Sequence, residues 1–104
     1  MMVPEIIKMI VCTTGHMEKS DMVICEQLLL KQRNGEMNYW IHDTYYGFMI
    51  RCYCIKKPLL VMKRAGFTKA FRKNVYIMME GMEAGVICFD MDGPEISGLT
   101  IREW

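Results

Sequence analysis

The order of apolar and polar residues along the chain predicts four strands and three helical segments. Short apolar or alternating runs indicate strands, and apolar residues recurring every three to four positions indicate helices. The predicted strands cover residues 5–13, 37–42, 45–55 and 86–89. The first is almost continuously apolar, which is typical of a central strand covered on both faces. The short gap between the second and third strands, with Asp43-Thr44 as the turn, predicts a hairpin.

Capping residues delimit the predicted helices. Ser20 and Thr68 are candidate N-caps, because their hydroxyl groups can accept a hydrogen bond from the first turn. Pro58 suits a first helical position. Asn34-Gly35 and Gly66 are typical of helix ends. The third helix has the clearest amphipathic pattern, with an apolar stripe of Phe71, Val75, Met78, Met79 and Met82.

The resulting β-α-β-β-α-β order predicts one α+β domain over residues 1–104, a two-layer sandwich with the helices on one face of the sheet. This order is the ferredoxin-like arrangement, which we favour, and a three-layer sheet with mixed strand directions is the alternative. In a ferredoxin-like sheet the first and fourth strands are antiparallel, which places His16 and Asp90 at opposite ends. In a mixed sheet with these two strands parallel, the same residues meet at one edge, where α/β sheets usually bind ligands.

Composition limits the class of protein. The chain of 104 residues is 52% hydrophobic and 24% charged, which is typical of a globular domain with an adequate core. Its five cysteines are odd in number and form no C-x-x-C pair, which favours buried reduced thiols over disulfides or a zinc site. No apolar run approaches the ~20 residues of a membrane span. We therefore predict a cytoplasmic protein with no membrane partner and no cofactor.

The near-neutral net charge of +1 conceals a strongly basic middle. Residues 44–79 hold eight basic residues and no acidic one, whereas residues 80–104 hold six acidic residues and one basic. Within the basic segment 56–73, several cations fall in the first turns of the third helix, where the helix dipole disfavours them by ~0.3–1 kcal/mol each. This arrangement predicts an anionic partner, either nucleic acid or an acidic protein, bound through Lys63, Arg64, Lys69, Arg72 and Lys73.

Two alternatives bear on this basic segment. Its charges could form a solvated face balanced by the acidic C-terminal residues. The aromatic residues of the hairpin would form a base-stacking platform if they share the basic face, and otherwise belong to the core. These residues are Tyr45, Tyr46, Phe48 and Tyr53.

The ends of the first and fourth strands carry the candidates for catalysis. Asp90 and Asp92 lie two residues apart, so both can lie on one side of an extended chain and bind Mg²⁺. A D-x-D-G-P sequence is also typical of a structural turn, which is the interpretation we favour. His16 follows Thr-Thr-Gly just before a helix, where it can act in catalysis or simply form a local hydrogen bond. These three residues support an alternative function, a metal-dependent hydrolase or nuclease, and the sequence does not decide whether the protein is an enzyme.

The last nineteen residues still contain large apolar groups (Leu99, Ile101 and Trp104), which predicts that this segment docks on the domain and closes the fold. Three stretches of the chain carry a resemblance to a known family: the T-T-G-H sequence after the first strand, the Y-G-F-M-I strand and the closing D-x-D-G-P-x-x-x-G-L…W. In these stretches the chain resembles a family of small uncharacterised bacterial proteins carried on plasmids and other mobile elements. This resemblance implies a bacterial cytoplasmic setting. The family has no established activity, so the resemblance implies none for this chain.

Overall fold

Four strands form one mixed sheet in the computed structural model, which describes residues 5–33, 35 and 40–102. The strand order is β1-β4-β3-β2, with β1 parallel to β4 and the other pairs antiparallel. The ferredoxin-like arrangement that we favoured is therefore wrong, and the sheet has the parallel β1–β4 pairing of the mixed alternative. The predicted α+β class is confirmed. The fourth strand lies between the first and the third, so β1 is an edge strand. The strands are Met9–Thr13 (β1), Ile41–Thr44 (β2), Gly47–Arg51 (β3) and Val86–Asp90 (β4).

Three α-helices pack on one face of this sheet: Lys19–Arg33 (α1), Pro58–Ala65 (α2) and Lys69–Tyr76 (α3). The last continues into a π-helical turn, Ile77–Gly81. Three sequence predictions are confirmed. Pro58 opens α2, Gly66 ends it with φ 99°, and the Thr68 hydroxyl accepts from the backbone N–H of Phe71.

The core lies between the sheet and α3. Alternate residues of β3 and β4 point toward the helices, and they meet the apolar stripe of α3 there. The rings of Phe71 and Phe89, for example, lie 5.3 Å apart between their centroids. This packing explains why the amphipathic signal of α3 was clear in the sequence. The central buried residues are Phe48, Ile50, Phe71, Val75, Met78, Ile87 and Phe89.

Three predicted boundaries were wrong. The first strand begins at Met9 rather than at residue 5, and only one of its faces is covered. The third strand stops at Arg51, because the chain then forms a 3-10 turn in which the Tyr53 N–H donates to the Gly85 carbonyl. The hairpin turn is Tyr45-Tyr46, not Asp43-Thr44, which pair with β3. The predicted start of the second strand, residues 37–39, lies outside the described residues.

All five cysteines are free thiols; Cys12, Cys25 and Cys52 are buried, and Cys54 and Cys88 are half-buried. Ser20 does not cap α1, because the helix already begins at Lys19. Across the described part of the chain, no helix combines the length and the apolar character needed to cross a membrane.

Candidate functional site

The carboxyl ends of β1 and β4 meet at one edge of the sheet, because the two strands are parallel and Thr13 pairs with Asp90. His16 follows one 3-10 turn after β1. The structure therefore brings the predicted catalytic candidates to the same edge. Their hydrogen bonds show what each of them does there.

Both ring nitrogens of His16 form hydrogen bonds. Its Nε2 lies 2.9 Å from the backbone nitrogen of Ile96, and its Nδ1 lies 3.0 Å from the carbonyl oxygen of Thr100. Because a backbone N–H can only donate, Nε2 is the acceptor and Nδ1 carries the proton that is donated to Thr100. The side chain is also only 2% exposed. His16 thus holds the chain after β4, and both nitrogens that catalysis would use are occupied by that contact.

Asn74 completes this contact from α3. Its amide nitrogen donates to the carbonyl oxygens of His16 (3.0 Å) and Thr100 (2.9 Å), and its Oδ1 accepts from the Thr100 N–H (2.9 Å). We call His16, Asn74 and the Thr100 backbone the tail clasp. Sequence reasoning missed Asn74, although a signal existed: it is a polar residue between Phe71 and Val75 on the otherwise apolar side of α3.

Residues 91–102, the C-terminal tail, are docked along the end of β1. The Thr13 N–H donates to Pro94 and the Arg102 N–H donates to Gly15, each over 2.9 Å. Gly93 permits the crossing, because a Cβ at this position would lie 2.5 Å from the carbonyl group of Cys12. Docking of the tail agrees with its apolar content; Leu99 and Ile101 are half-buried, and Trp104 lies outside the described residues.

Asp90 and Asp92 form the turn that we favoured. The Asp92 N–H donates to Asp90 Oδ1 over 2.8 Å, which is the local hydrogen bond typical of an Asp turn. Within residues 5–33, 35 and 40–102, no group of three or more His, Cys, Asp or Glu side chains could hold a metal ion. A metal-dependent hydrolase or nuclease would therefore have no three-residue ligand set among the described residues at this edge.

A cleft of about 520 Å³ opens between β1, α1 and the tail. Burial lowers the pKa of the Arg102 guanidinium there, while the negative charge of Glu18 opposes that shift. Arg102 Nη1 also lies 3.0 Å from the sulfur of Met22. The cleft is thus part of the region where the tail docks. Its lining includes Thr14, Gly15, Met22, Glu95, Ile101 and Arg102.

The five predicted binding cations lie around one corner of the helical layer, which we call the basic surface: Lys63, Arg64, Lys69, Arg72 and Lys73. The first two are in the last turn of α2, and only residues 66–68 separate α2 from α3. All are exposed except Arg72, which is half-buried and whose Nε donates to the carbonyl oxygen of Phe67. Four of them are therefore free to face a ligand.

Asp21 supplies the negative charge that the start of α3 needs. It is fully buried, and its Oδ1 accepts from the Thr68 N–H at 2.7 Å while its Oδ2 accepts from the Thr68 hydroxyl at 2.8 Å. A carboxylate at this position interacts favourably with the helix dipole. The basic residues in the first turn of α3 are thus balanced by an internal anion, and their dipole position alone does not require an external one.

The predicted aromatic platform is not on the basic surface. Phe48 lies in the core, Tyr45 and Tyr46 form the hairpin turn, and the Tyr53 hydroxyl accepts from Arg51. The exposed aromatic residue next to the basic residues of α3 is Tyr76, which the sequence analysis did not single out. This tyrosine is 52% exposed, and it follows Lys69 and Lys73 at helical spacing.

The acidic tail does not cover the basic surface through specific contacts. In the described ranges, no hydrogen bond or ion pair joins a carboxylate of the tail to any of the five cations. The tail's hydrogen bonds go to β1, to the turn after it, to the buried side of α3, to the Tyr46 carbonyl of the hairpin and to Met22 of α1. Among the described residues, direct contacts with the tail therefore do not balance the basic face.

The fold and its surfaces define a small α+β protein with a mixed sheet, a helical layer that is basic at one corner, and a clasped C-terminal tail. The chain belongs to the family of unknown function DUF5983, whose C-terminal domain matches residues 9–104. Neither the curated proteins nor the solved structures yielded a match.

Proposed function

We propose that the protein is a non-enzymatic accessory protein that binds nucleic acid through the basic surface. The observation that carries this proposal is the stripe formed by Lys69, Lys73 and Tyr76 on the exposed side of α3. Cations that follow a phosphate backbone, together with an exposed aromatic ring that can stack on a base, are the combination that single-stranded nucleic acids require.

The neighbouring helix supports the same surface. Lys63 and Arg64 are exposed at the end of α2, and residues 44–79 contain no acidic residue. An acidic protein would fit the charges equally well, but it would make no particular use of an exposed tyrosine ring. We therefore favour nucleic acid.

Fluorescence anisotropy with labelled single-stranded and duplex oligonucleotides tests the proposal. Four to five phosphate contacts predict that the logarithm of the binding constant falls with the logarithm of salt concentration with a slope of about −3 to −4.5. The double variant Lys69→Glu/Lys73→Glu should abolish measurable binding. A matched control, Lys19→Glu/Lys31→Glu, reverses two exposed lysines on α1 and should retain more of the affinity.

Tyr76 separates stacking from simple charge attraction. Tyr76→Ala should weaken single-strand binding by ~1–3 kcal/mol with an unchanged salt slope, while Tyr76→Phe should bind like the original protein. No binding to DNA or RNA at low salt would refute the proposal, as would equal losses in the α1 and α3 double variants.

We also propose a bacterial cytoplasmic setting, with a role as an accessory protein of plasmids or other mobile elements. The five free thiols support a reducing compartment. Fractionation of a host cell followed by immunodetection tests the compartment, and detection in the periplasm would contradict it.

A further inference from the structure

The sheet has a second, open face, on the side opposite the helices. Its side chains alternate with those of the core, and none of them is fully buried. Met9 and Val11 are 52% and 42% exposed although they lie in a strand. The strand register places Val11, Cys88, Met49 and His42 in one row across the centre of this face.

Opposite charges flank this central row. On one side the register aligns Met9, Val86 and Arg51, and on the other it aligns Thr13, Asp90 and Gly47. Arg51 and Asp90 are thus separated along the strands by four residues, or ~13 Å at the rise of a strand. The open face is therefore positive at one end and negative at the other. Its central row is apolar except for His42, whose Nε2 lies 3.4 Å from Arg51 Nη1.

Such a pattern is complementary to itself. Exposed apolar patches mark interaction sites, and a two-fold interface brings the same surface of two copies together. We propose that the open face is the contact surface of a homodimer in which the two sheets stack face to face. This interface leaves the helices, and with them the basic surface, on the outside of the dimer.

The charges select one of the two simple two-fold arrangements. If the axis runs across the strands through the central row, the Arg51 end of one sheet faces the end that carries the partner's Asp90. If the axis runs along the strands, like ends face each other and the charges gain no opposite partner. The dimer therefore has its strands antiparallel, with Cys88 close to the partner's Cys88 on the axis.

The size of the face sets the expected affinity. Four strands of about five residues cover ~19 by ~17 Å, given the strand spacing and rise. Even with the rim residues this area is below the ~800 Å² per partner of a standard interface. We therefore expect a weak, reversible dimer rather than an obligate one.

Sedimentation equilibrium over a range of protein concentrations measures this association. Val11→Lys places a charge in the central row and should raise the Kd at least about tenfold, which is 1.4 kcal/mol. Val23→Lys is the matched control, because Val23 is similarly exposed (47%) but lies on α1. Circular dichroism verifies that both variants are folded. A protein that is monomeric at several hundred micromolar, or a dimer that Val11→Lys leaves intact, would overturn the proposal.

A charge exchange and a cross-link test the orientation. Arg51→Glu and Asp90→Lys should each weaken the dimer, and the double variant should restore it. Oxidation with copper–phenanthroline should link two copies through a disulfide between Cys88 and the partner's Cys88, because sheets stacked ~10 Å apart bring side chains that face each other on the axis close together. Cys88→Ala should abolish this product and Cys54→Ala should not. Failure of the double variant to recover, together with no Cys88-dependent cross-link, would rule out the antiparallel dimer.

Discussion

The tail clasp yields a quantitative prediction for Asn74. Asn74→Ala removes three hydrogen bonds of 2.9–3.0 Å that join α3 to the backbone of His16 and Thr100. At ~0.5–1.5 kcal/mol each, their loss should lower the free energy of unfolding by about 2–4 kcal/mol. A domain of this size loses about 4–8 °C of Tm per kcal/mol, so we expect a decrease of about 8–32 °C.

Two further variants separate the clasp from other effects. Asn74→Leu keeps the side-chain volume while removing every donor and acceptor, so it should destabilise the protein nearly as much as Asn74→Ala. Thr100→Ala changes an exposed side chain but keeps the backbone groups that form the clasp, so it should cost less than about 0.5 kcal/mol.

Chemical denaturation followed by circular dichroism measures these differences. Hydrogen exchange adds a local measurement, because the Thr100 amide should lose its protection in Asn74→Ala while amides of β4 keep most of theirs. His16→Ala should be less than additive with Asn74→Ala, since both side chains hold Thr100. If Asn74→Ala or Asn74→Leu is as stable as Thr100→Ala, the tail is not held by the clasp and the reasoning fails.

Two other predictions concern the core and the tail. Burial raises the pKa of Cys12 and Cys52 to about 12 from an ordinary 9.0, so above pH 9 the unfolded chain loses protons that the folded protein keeps. The free energy of unfolding should therefore fall as pH rises from 9 to 12. A Cys12→Ala/Cys52→Ala variant should show a shallower decline in denaturation experiments, and an equal slope would contradict this assignment. Gly93→Ala should destabilise the protein by about 1–3 kcal/mol in thermal melts because its methyl group meets the Cys12 carbonyl, whereas Gly81→Ala, with no atom within 4 Å of its Cβ, is the control and should be tolerated.

The parts of the fold that the sequence predicted well are those governed by local chemistry. Pro58, Gly66 and Thr68 act within one turn of their own position, so their effect on helix boundaries could be read directly. Strand neighbours depend on contacts between residues far apart in the chain, so the sequence pattern favoured the ferredoxin-like sheet over the mixed sheet that forms. The edge position of β1 was missed because an apolar run does not reveal that one of its faces is exposed.

The candidate site shows the same limit. The sequence identified His16, Asp90 and Asp92 as polar groups at strand ends, but their roles depend on what the tail brings to them. Ile96 and Thr100 reach His16 from 80 or more residues away, so the hydrogen bonds that occupy its ring could not be predicted. Asn74 was visible as a polar residue on an apolar stripe, and such residues in the core of an amphipathic helix are good candidates for buried hydrogen bonds.

The buried carboxylate of Asp21 affects how nucleic-acid binding by the exposed lysines can be tested. Three cations in the first turns of α3 suggested an external anion, yet the buried carboxylate of Asp21 already accepts two hydrogen bonds from Thr68 at that helix start. An external anion is therefore not needed to stabilise the helix. The exposed lysines themselves contribute little to the stability of the fold, because their charges are solvated. Variants such as Lys69→Glu/Lys73→Glu should thus leave the protein folded, and any loss of nucleic-acid binding can be assigned to the surface itself.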